Sequence, residues 1–166
     1  MKKLTLLLAM LVMAATMVRA QVAITKVDKI SPTDEVFMDM AVTAASTAQQ
    51  QGLKPCGAVV ILNGAWRSTG LPAAGKTAEE AAIDKSRRTR LTNATIYTVN
   101  QPTSAAINAI NRSGADAVYY VNPADDVIAA GVYTAGDYDP AAIDSSLPQV
   151  PVRQITYAPA RKYVNK

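Results

Sequence analysis

The sequence predicts an α/β domain of three layers, with helices on both faces of a mixed, mostly parallel central sheet. From about residue 34 onward, short apolar segments alternate with segments of helical period, an order that favours parallel strands joined by crossover helices. Residues 57–62 are continuously apolar, as in a strand that is covered on both faces. The pair Asn63-Gly64 then favours a tight antiparallel turn, which makes the predicted sheet mixed.

The first twenty residues are predicted to be a signal peptide. Two lysines precede an apolar run over residues 4–18, and Val18-Arg19-Ala20 offers small or apolar residues at the positions read by signal peptidase. This run is shorter than the roughly 20 residues that span a bilayer, so a membrane anchor is the weaker alternative. We expect cleavage after Ala20 and a secreted protein located in the bacterial periplasm, with no membrane attachment after cleavage.

Charge and cysteine content restrict the classes of function. The chain has 17 basic and 13 acidic residues; without the three basic residues of the predicted signal peptide, 14 basic residues remain and the net charge is +1. That balance provides no electrostatic argument for nucleic-acid binding. The chain has no His and a single Cys, Cys56, which cannot form an internal disulfide and is best interpreted as a small buried side chain.

In the first half of the chain, an extended lead-in over residues 21–33 is predicted to precede the domain, residues 34–166. Ser31-Pro32-Thr33 is a helix start, with capping hydroxyls and Pro in the first turn, and Gly52 ends that helix. Its apolar stripe is rich in Ala, which favours close packing against a sheet. Two strands are predicted around Asn63-Gly64, followed by a helix over residues 77–87.

The second half continues the alternation of strands and helices. The pattern predicts a strand over 94–99, a helix over 103–112, a strand over 117–121 and a short helix over 123–130. A further helical turn is predicted over residues 140–146, with Asp139 as its cap. Residues 150–155 alternate in polarity but include Pro151, which predicts a short edge strand. A last helical turn is predicted over 159–165.

Several short motifs, taken in order, resemble the cytidine deaminase-like superfamily and especially its guanine deaminase and tRNA adenosine deaminase branch. Thr77-Ala78-Glu79-Glu80-Ala81-Ala82-Ile83 resembles H-A-E-x-N-A-I, and Pro55-Cys56-Gly57-Ala58-Val59-Val60 resembles the strand P-F-G-A-V-I/V. Thr95-Ile96-Tyr97-Thr98 resembles T-L-Y-T, and Gln101-Pro102 lies on the family's E-P. The resemblance covers roughly residues 34–166 and implies a cytidine-deaminase-like fold.

The departures from the family pattern concern the metal. In the superfamily, one His of H-x-E and two Cys of P-C-x-x-C hold a zinc ion that acidifies water, while the Glu shuttles protons. The three ligand positions are here Thr77, Thr103 and Ala106, which are poor zinc ligands or none. The resemblance thus implies a vestigial cleft of Thr77, Glu79, Pro102, Thr103 and Ala106, without metal or cofactor, in which Glu79 is a remnant proton shuttle.

The same residues also have structural interpretations. Thr77 and Thr103 stand where helices begin, so N-capping explains both, and Glu79 lies in a first helical turn, where the macrodipole favours an acid. Residues 70–77 match the Walker A spacing G-x-x-x-x-G-K-[ST]. Because a hairpin strand precedes this segment and Pro72 restricts its loop, we interpret the match as coincidental.

These observations predict a secreted deaminase-fold pseudoenzyme that has lost deamination and retains a binding role, for a small molecule or a protein partner. A homodimer is also expected to be accessible, because related deaminases commonly form dimers. Two alternatives remain open at this point. One is an active hydrolase of the nucleobase or nucleoside deaminase type that uses Glu79 without the usual zinc site. The other is a structural or assembly module.

Overall fold

The computed structural model of the protein describes residues 22–164, so the predicted signal peptide and its cleavage site lie outside the described residues. The helices are α1 Pro32–Gln50, α2 Ala78–Lys85, α3 Ser104–Ser113, α4 Ala124–Ala129 and α5 Ala158–Arg161. The strands are β1 Ile24–Val27, β2 Ala58–Leu62, β3 Ala65–Gly70, β4 Ala94–Thr98, β5 Ala117–Tyr120 and β6 Val152–Ile155. Across residues 22–164, no helix has the length and apolar character that crossing a membrane requires.

The strands form one mixed sheet in the order β1-β6-β5-β4-β2-β3. Strands β1, β6, β5 and β4 pair in parallel, whereas β2 is antiparallel to both β4 and β3. At the turn between β2 and β3, Asn63 and Gly64 have φ values of 51° and 75°, the left-handed conformation that a two-residue hairpin requires. The mixed, mostly parallel sheet predicted from the sequence is confirmed.

The position of β6 differs from the prediction. Residues 150–155 were expected to form an edge strand, but β6 lies between β5 and β1, and Val152 is in register with both Val118 and Ile24. Pro151 immediately precedes β6 and uses its carbonyl to accept a hydrogen bond from the Val118 N–H, so its missing N–H removes no ladder bond. The edge is instead β1, which lies within the predicted lead-in; that segment is therefore part of the sheet.

Two apolar cores, one on each face of the sheet, complete the three-layer architecture. The first lies under α2, α3 and α4, and the second lies under α1 and α5. The Ala-rich stripe of α1 packs very close to the sheet: a Cβ added at Gly57 would lie 2.4 Å from the backbone nitrogen of Ala45. Close packing of this helix, expected from its Ala content, is therefore confirmed.

Other local predictions also agree with the structure. Gly114 ends α3 with a φ of 70°, a left-handed conformation favourable for glycine at a helix C-terminus. The helical turn predicted over 140–146 is limited to Pro140–Ala142 and is capped by Asp139, whose carboxylate accepts a hydrogen bond from the Ala141 N–H. The helix predicted over 77–87 ends earlier, at Lys85, and Arg87 adopts a φ of 54°.

Candidate functional site

Thr77 is the N-cap of α2. Its hydroxyl accepts a hydrogen bond from the Glu80 N–H at 3.3 Å, and the Glu80 carboxylate accepts one from the Thr77 N–H at 2.8 Å. This reciprocal capping box satisfies two backbone donors that a helix N-terminus would otherwise leave unpaired. The Thr77 side chain, which the motif aligns with the family's His ligand, thus serves as a helix N-cap.

Thr103 has the same function for α3. Its hydroxyl accepts a hydrogen bond from the Ala106 N–H at 3.3 Å, so both hydroxyls that occupy ligand positions act as N-caps. The side chain of Ala106 is a fully buried methyl group in the first core. No donor atom suited to zinc is present at any of these three positions.

The N-termini of α2 and α3 meet at a groove of about 650 Å³, which we call the outer groove. Thr77 and Glu80 line it from α2, and Ala105 lines it from α3. Lys54 and Tyr133 complete its walls, together with the loop that connects β3 to α2. The structure therefore brings together the two helix starts that the motifs singled out.

Pro102 of the predicted cleft faces elsewhere. It lines a separate cavity of about 160 Å³, where it lies with Gln101, Ile107 and Tyr138. The residues assigned to one cleft from the motifs are consequently distributed between the outer groove, this second cavity and the buried core.

Glu79 is almost completely buried, with 5% of its surface exposed. One carboxylate oxygen accepts a hydrogen bond from the hydroxyl of Thr98 on β4 at 2.7 Å. Burial raises the pKa of Glu79, and the Thr98 hydrogen bond opposes that rise by favouring the charged form. Chemically, the residue is an acid that holds a proton more firmly than an exposed Glu does.

Residues outside the predicted cleft are neighbours of Glu79. Cys56, two residues before β2, is 3% exposed, and its sulfur accepts a hydrogen bond from the Asn100 side chain at 3.2 Å. Burial, with Glu79 as the second cause, raises the pKa of the Cys56 thiol to about 11. Tyr133 and Tyr138 pack against the same core as Cys56, with ring centroids 6.2 Å apart in an edge-to-face arrangement. The sequence carries no motif that places either tyrosine near Glu79.

The donor set at this place does not fit the zinc ion that the fold family implies. The Thr77 and Thr103 hydroxyls are engaged in capping, and Glu79 supplies only one carboxylate. Among residues 22–164, no group of three His, Cys, Asp or Glu side chains is arranged so that it could hold a metal ion. We therefore derive no reaction step through a metal.

The Walker A match at residues 70–77 does not form a phosphate loop. Ala73 and Lys76 exchange both backbone hydrogen bonds in a tight turn, so these N–H groups do not converge on a ligand as a phosphate-binding loop requires. The Lys76 ammonium pairs with the carboxylate of Asp84 instead. The strand before the loop, β3, is the antiparallel edge strand of the sheet.

Comparison with solved structures identifies similar folds. A structure from a study of A-to-I editing by tRNA:A34 deaminases is 20% identical with a TM-score of 0.63, covering 77% of this chain and 98% of that chain. Guanine deaminase from Bacillus subtilis is 28% identical with a TM-score of 0.56, covering 61% of this chain and 71% of that one. Guanine deaminase from Nitrosomonas europaea is 16% identical with a TM-score of 0.63, covering 82% and 86%, respectively.

No family model and no curated protein sequence matches the chain. The structural similarity, which includes deaminases of both branches suggested by the motifs, assigns the chain the cytidine deaminase-like fold. The resemblance stated from the motifs is confirmed at this level.

Proposed function

We propose that this protein is a secreted member of the deaminase fold that does not deaminate and that retains a binding role. The observation that carries the proposal is the fate of the three ligand positions: two hydroxyls cap helices and the third side chain is a buried methyl group. Deamination in this fold requires a metal-activated water, and the residues present supply no set of ligands for the metal.

Metal content and turnover test the loss of chemistry. The purified protein, incubated with excess zinc and desalted, is expected to retain only substoichiometric zinc by mass spectrometry. It is expected to leave cytidine, adenosine and guanine unchanged over hours. Tightly bound zinc at one ion per chain, together with turnover of any of these substrates, would overturn the proposal.

The outer groove is the proposed location of the retained binding. It is large enough for a small molecule, and apolar side chains such as Leu53, Pro72 and Ala74 contribute much of its lining. A thermal-shift screen of nucleobases, nucleosides and small metabolites on the purified protein tests this role. We expect a hit to lose its effect when Ala105, an exposed groove residue, is replaced by Trp.

Secretion is proposed from the sequence of the first twenty residues. Expression of the full chain in a bacterial host, followed by fractionation and N-terminal sequencing, is expected to yield a periplasmic protein that begins at Gln21. A cytoplasmic chain that retains Met1 would contradict the proposal.

Glu79 favours one alternative, an enzyme that uses this acid without zinc. Its raised pKa and its hydrogen bond to Thr98 are properties of a general acid as well as of a buried structural carboxyl. The Glu79→Gln variant separates the two interpretations. If the wild-type protein shows any hydrolytic activity and the variant loses it while remaining folded, the enzyme hypothesis is favoured.

A homodimer is proposed as the partner state. Strand β3 is an edge strand of the sheet. Trp66 on β3 is 57% exposed, and Val36 on α1 is 58% exposed. Exposed large apolar side chains of this kind are frequent at interfaces. Size-exclusion chromatography with light scattering measures the molar mass, and a strictly monomeric protein at high concentration would contradict this part of the proposal.

A further inference from the structure

Tyr133 lies at the boundary between the outer groove and the buried acid. On its outward side, the ring forms part of the groove wall, and the Lys54 ammonium lies over the ring, 4.2 Å from its centroid. The Tyr138 ring meets it edge to face. This arrangement fixes the ring by a cation–π contact and by an aromatic contact.

On its inward side, Tyr133 packs against the first core, which includes Cys56 and Ala78. Cys56 in that core is 3% exposed, and Glu79, a further neighbour of Tyr133, is 5% exposed. Burial, followed by the neighbouring Cys56 and Glu79, raises the pKa of the Tyr133 phenol, so the ring remains neutral at physiological pH. The phenol therefore separates a solvent-filled groove from a thiol and a carboxyl that solvent hardly reaches.

We propose that the Tyr133 ring closes the outer groove over Glu79 and Cys56, and thereby determines how deep a ligand can bind. This inference rests on the proposed binding role of the groove. With the ring in place, a small, mostly apolar ligand occupies the space between Lys54, Pro72 and the outward face of Tyr133. A ligand that reaches Glu79 has to displace the phenol.

Cys56 provides a direct reporter for this closure because it is the only cysteine of the chain. Modification of the native protein by a thiol reagent such as 5,5′-dithiobis(2-nitrobenzoate) measures how often solvent reaches the space behind Tyr133. We expect Tyr133→Ala to increase the rate of Cys56 modification by at least about tenfold, because it removes the barrier without requiring global unfolding. Tyr133→Phe keeps the ring and is expected to react at nearly the wild-type rate.

A second measurement tests whether the opened space has the shape of the phenol. In Tyr133→Ala, p-cresol replaces the missing side chain and is expected to slow Cys56 modification in a saturable manner, as small aromatic molecules fill engineered cavities. Tyr133→Leu, which leaves too little space for p-cresol, serves if the Ala variant does not fold; faster Cys56 modification without rescue by p-cresol is then expected.

The matched control is Tyr163→Ala, which removes a buried ring from the second core on the opposite face of the sheet. Equal acceleration in this control would mean that Cys56 reacts through global unfolding, and the inference would be wrong. It would also be wrong if Cys56 of Tyr133→Ala, or of Tyr133→Leu used in its place, were modified at the wild-type rate. Neither result depends on zinc content or turnover, so the inference and the proposed loss of deamination can fail separately.

Discussion

The hydrogen bond between Thr98 and Glu79 permits a quantitative test of the buried acid. Thr98→Val preserves the shape of the side chain and removes the only donor from β4 that the structure places on this carboxylate. Both residues are buried, with Thr98 at 0% exposure, so water does not replace the lost hydroxyl. A hydrogen bond to a charged group contributes about 1.5–3 kcal/mol, and one to a neutral group about 0.5–1.5 kcal/mol. We therefore expect a loss of roughly 2 kcal/mol when Glu79 is charged and about 1 kcal/mol when it is protonated.

The sign of the pH dependence follows from the raised pKa of Glu79. Because the native state favours the protonated carboxyl, this stabilisation is fully present below the ordinary Glu pKa of about 4.3 and is lost as the pH rises through the raised native pKa. Thr98→Val removes the group that favours the charged form, so it raises the pKa further. The variant should lose more free energy of unfolding at alkaline pH than at acid pH.

Urea denaturation at pH 4 and pH 8.5 measures the free energy of unfolding that Thr98→Val loses at each pH. With a dependence on urea of about 2 kcal/mol per molar, the midpoint should fall by about 0.5 M while Glu79 is protonated and by about 1 M once it is charged. The matched control is Ser68→Ala, because the Ser68 hydroxyl is also buried but donates to the neutral carbonyl of Ala82 at 2.6 Å. Its effect should not depend on pH. A larger fall of the midpoint at pH 4 than at pH 8.5 would refute the assignment of Glu79 as the titrating partner.

Three further outcomes are expected. Thr103→Ala should lower the free energy of unfolding by about 1 kcal/mol because α3 loses its cap, whereas Thr103→Ser should match the wild type; chemical denaturation measures both. Gly70→Ala should prevent folding, because the new Cβ would lie 1.9 Å from the Ala78 carbonyl oxygen. The control is Gly136→Ala, whose Cβ would have no neighbour closer than 3.7 Å; this variant should leave the circular dichroism spectrum and the melting temperature unchanged. Millimolar ATP with magnesium should leave the melting temperature unchanged, because the Lys76 loop is closed by its own hydrogen bonds. A marked increase of the melting temperature would indicate that residues 70–77 bind nucleotide after all.

Local chemistry explains why much of the fold could be predicted. Asn63-Gly64 and Gly114 adopt the left-handed conformations that their residue types favour, and Thr77 and Thr103 cap the helices that follow them. Each of these outcomes depends on a few neighbouring residues. The order of strands and helices was predictable for the same reason, since periodicity in short windows reports which face of an element is covered.

The sheet position of residues 150–155 could not be predicted in this way. Pro151 argued for an edge, but the partner that covers the strand is β1, more than a hundred residues earlier in the chain. The local polarity pattern of residues 150–155 does not indicate a partner strand so far away in the sequence. The same limit applies to the site, where the motifs indicated Glu79 but not which residues lie near it: Cys56 comes from the segment before β2 and Tyr133 from the segment after α4.

By itself, the sequence determined the fold class, the helix starts and the chemistry that the ligand positions exclude, because side-chain identity decides whether an atom can cap a helix or bind a metal. Only the tertiary structure decided that Glu79 is buried against Thr98, that Pro102 faces a separate cavity, and that Tyr133 lines the outer groove. Burial and distance are set by segments far apart in the chain that share one core, and so they emerge only when the sheet and its helices assemble.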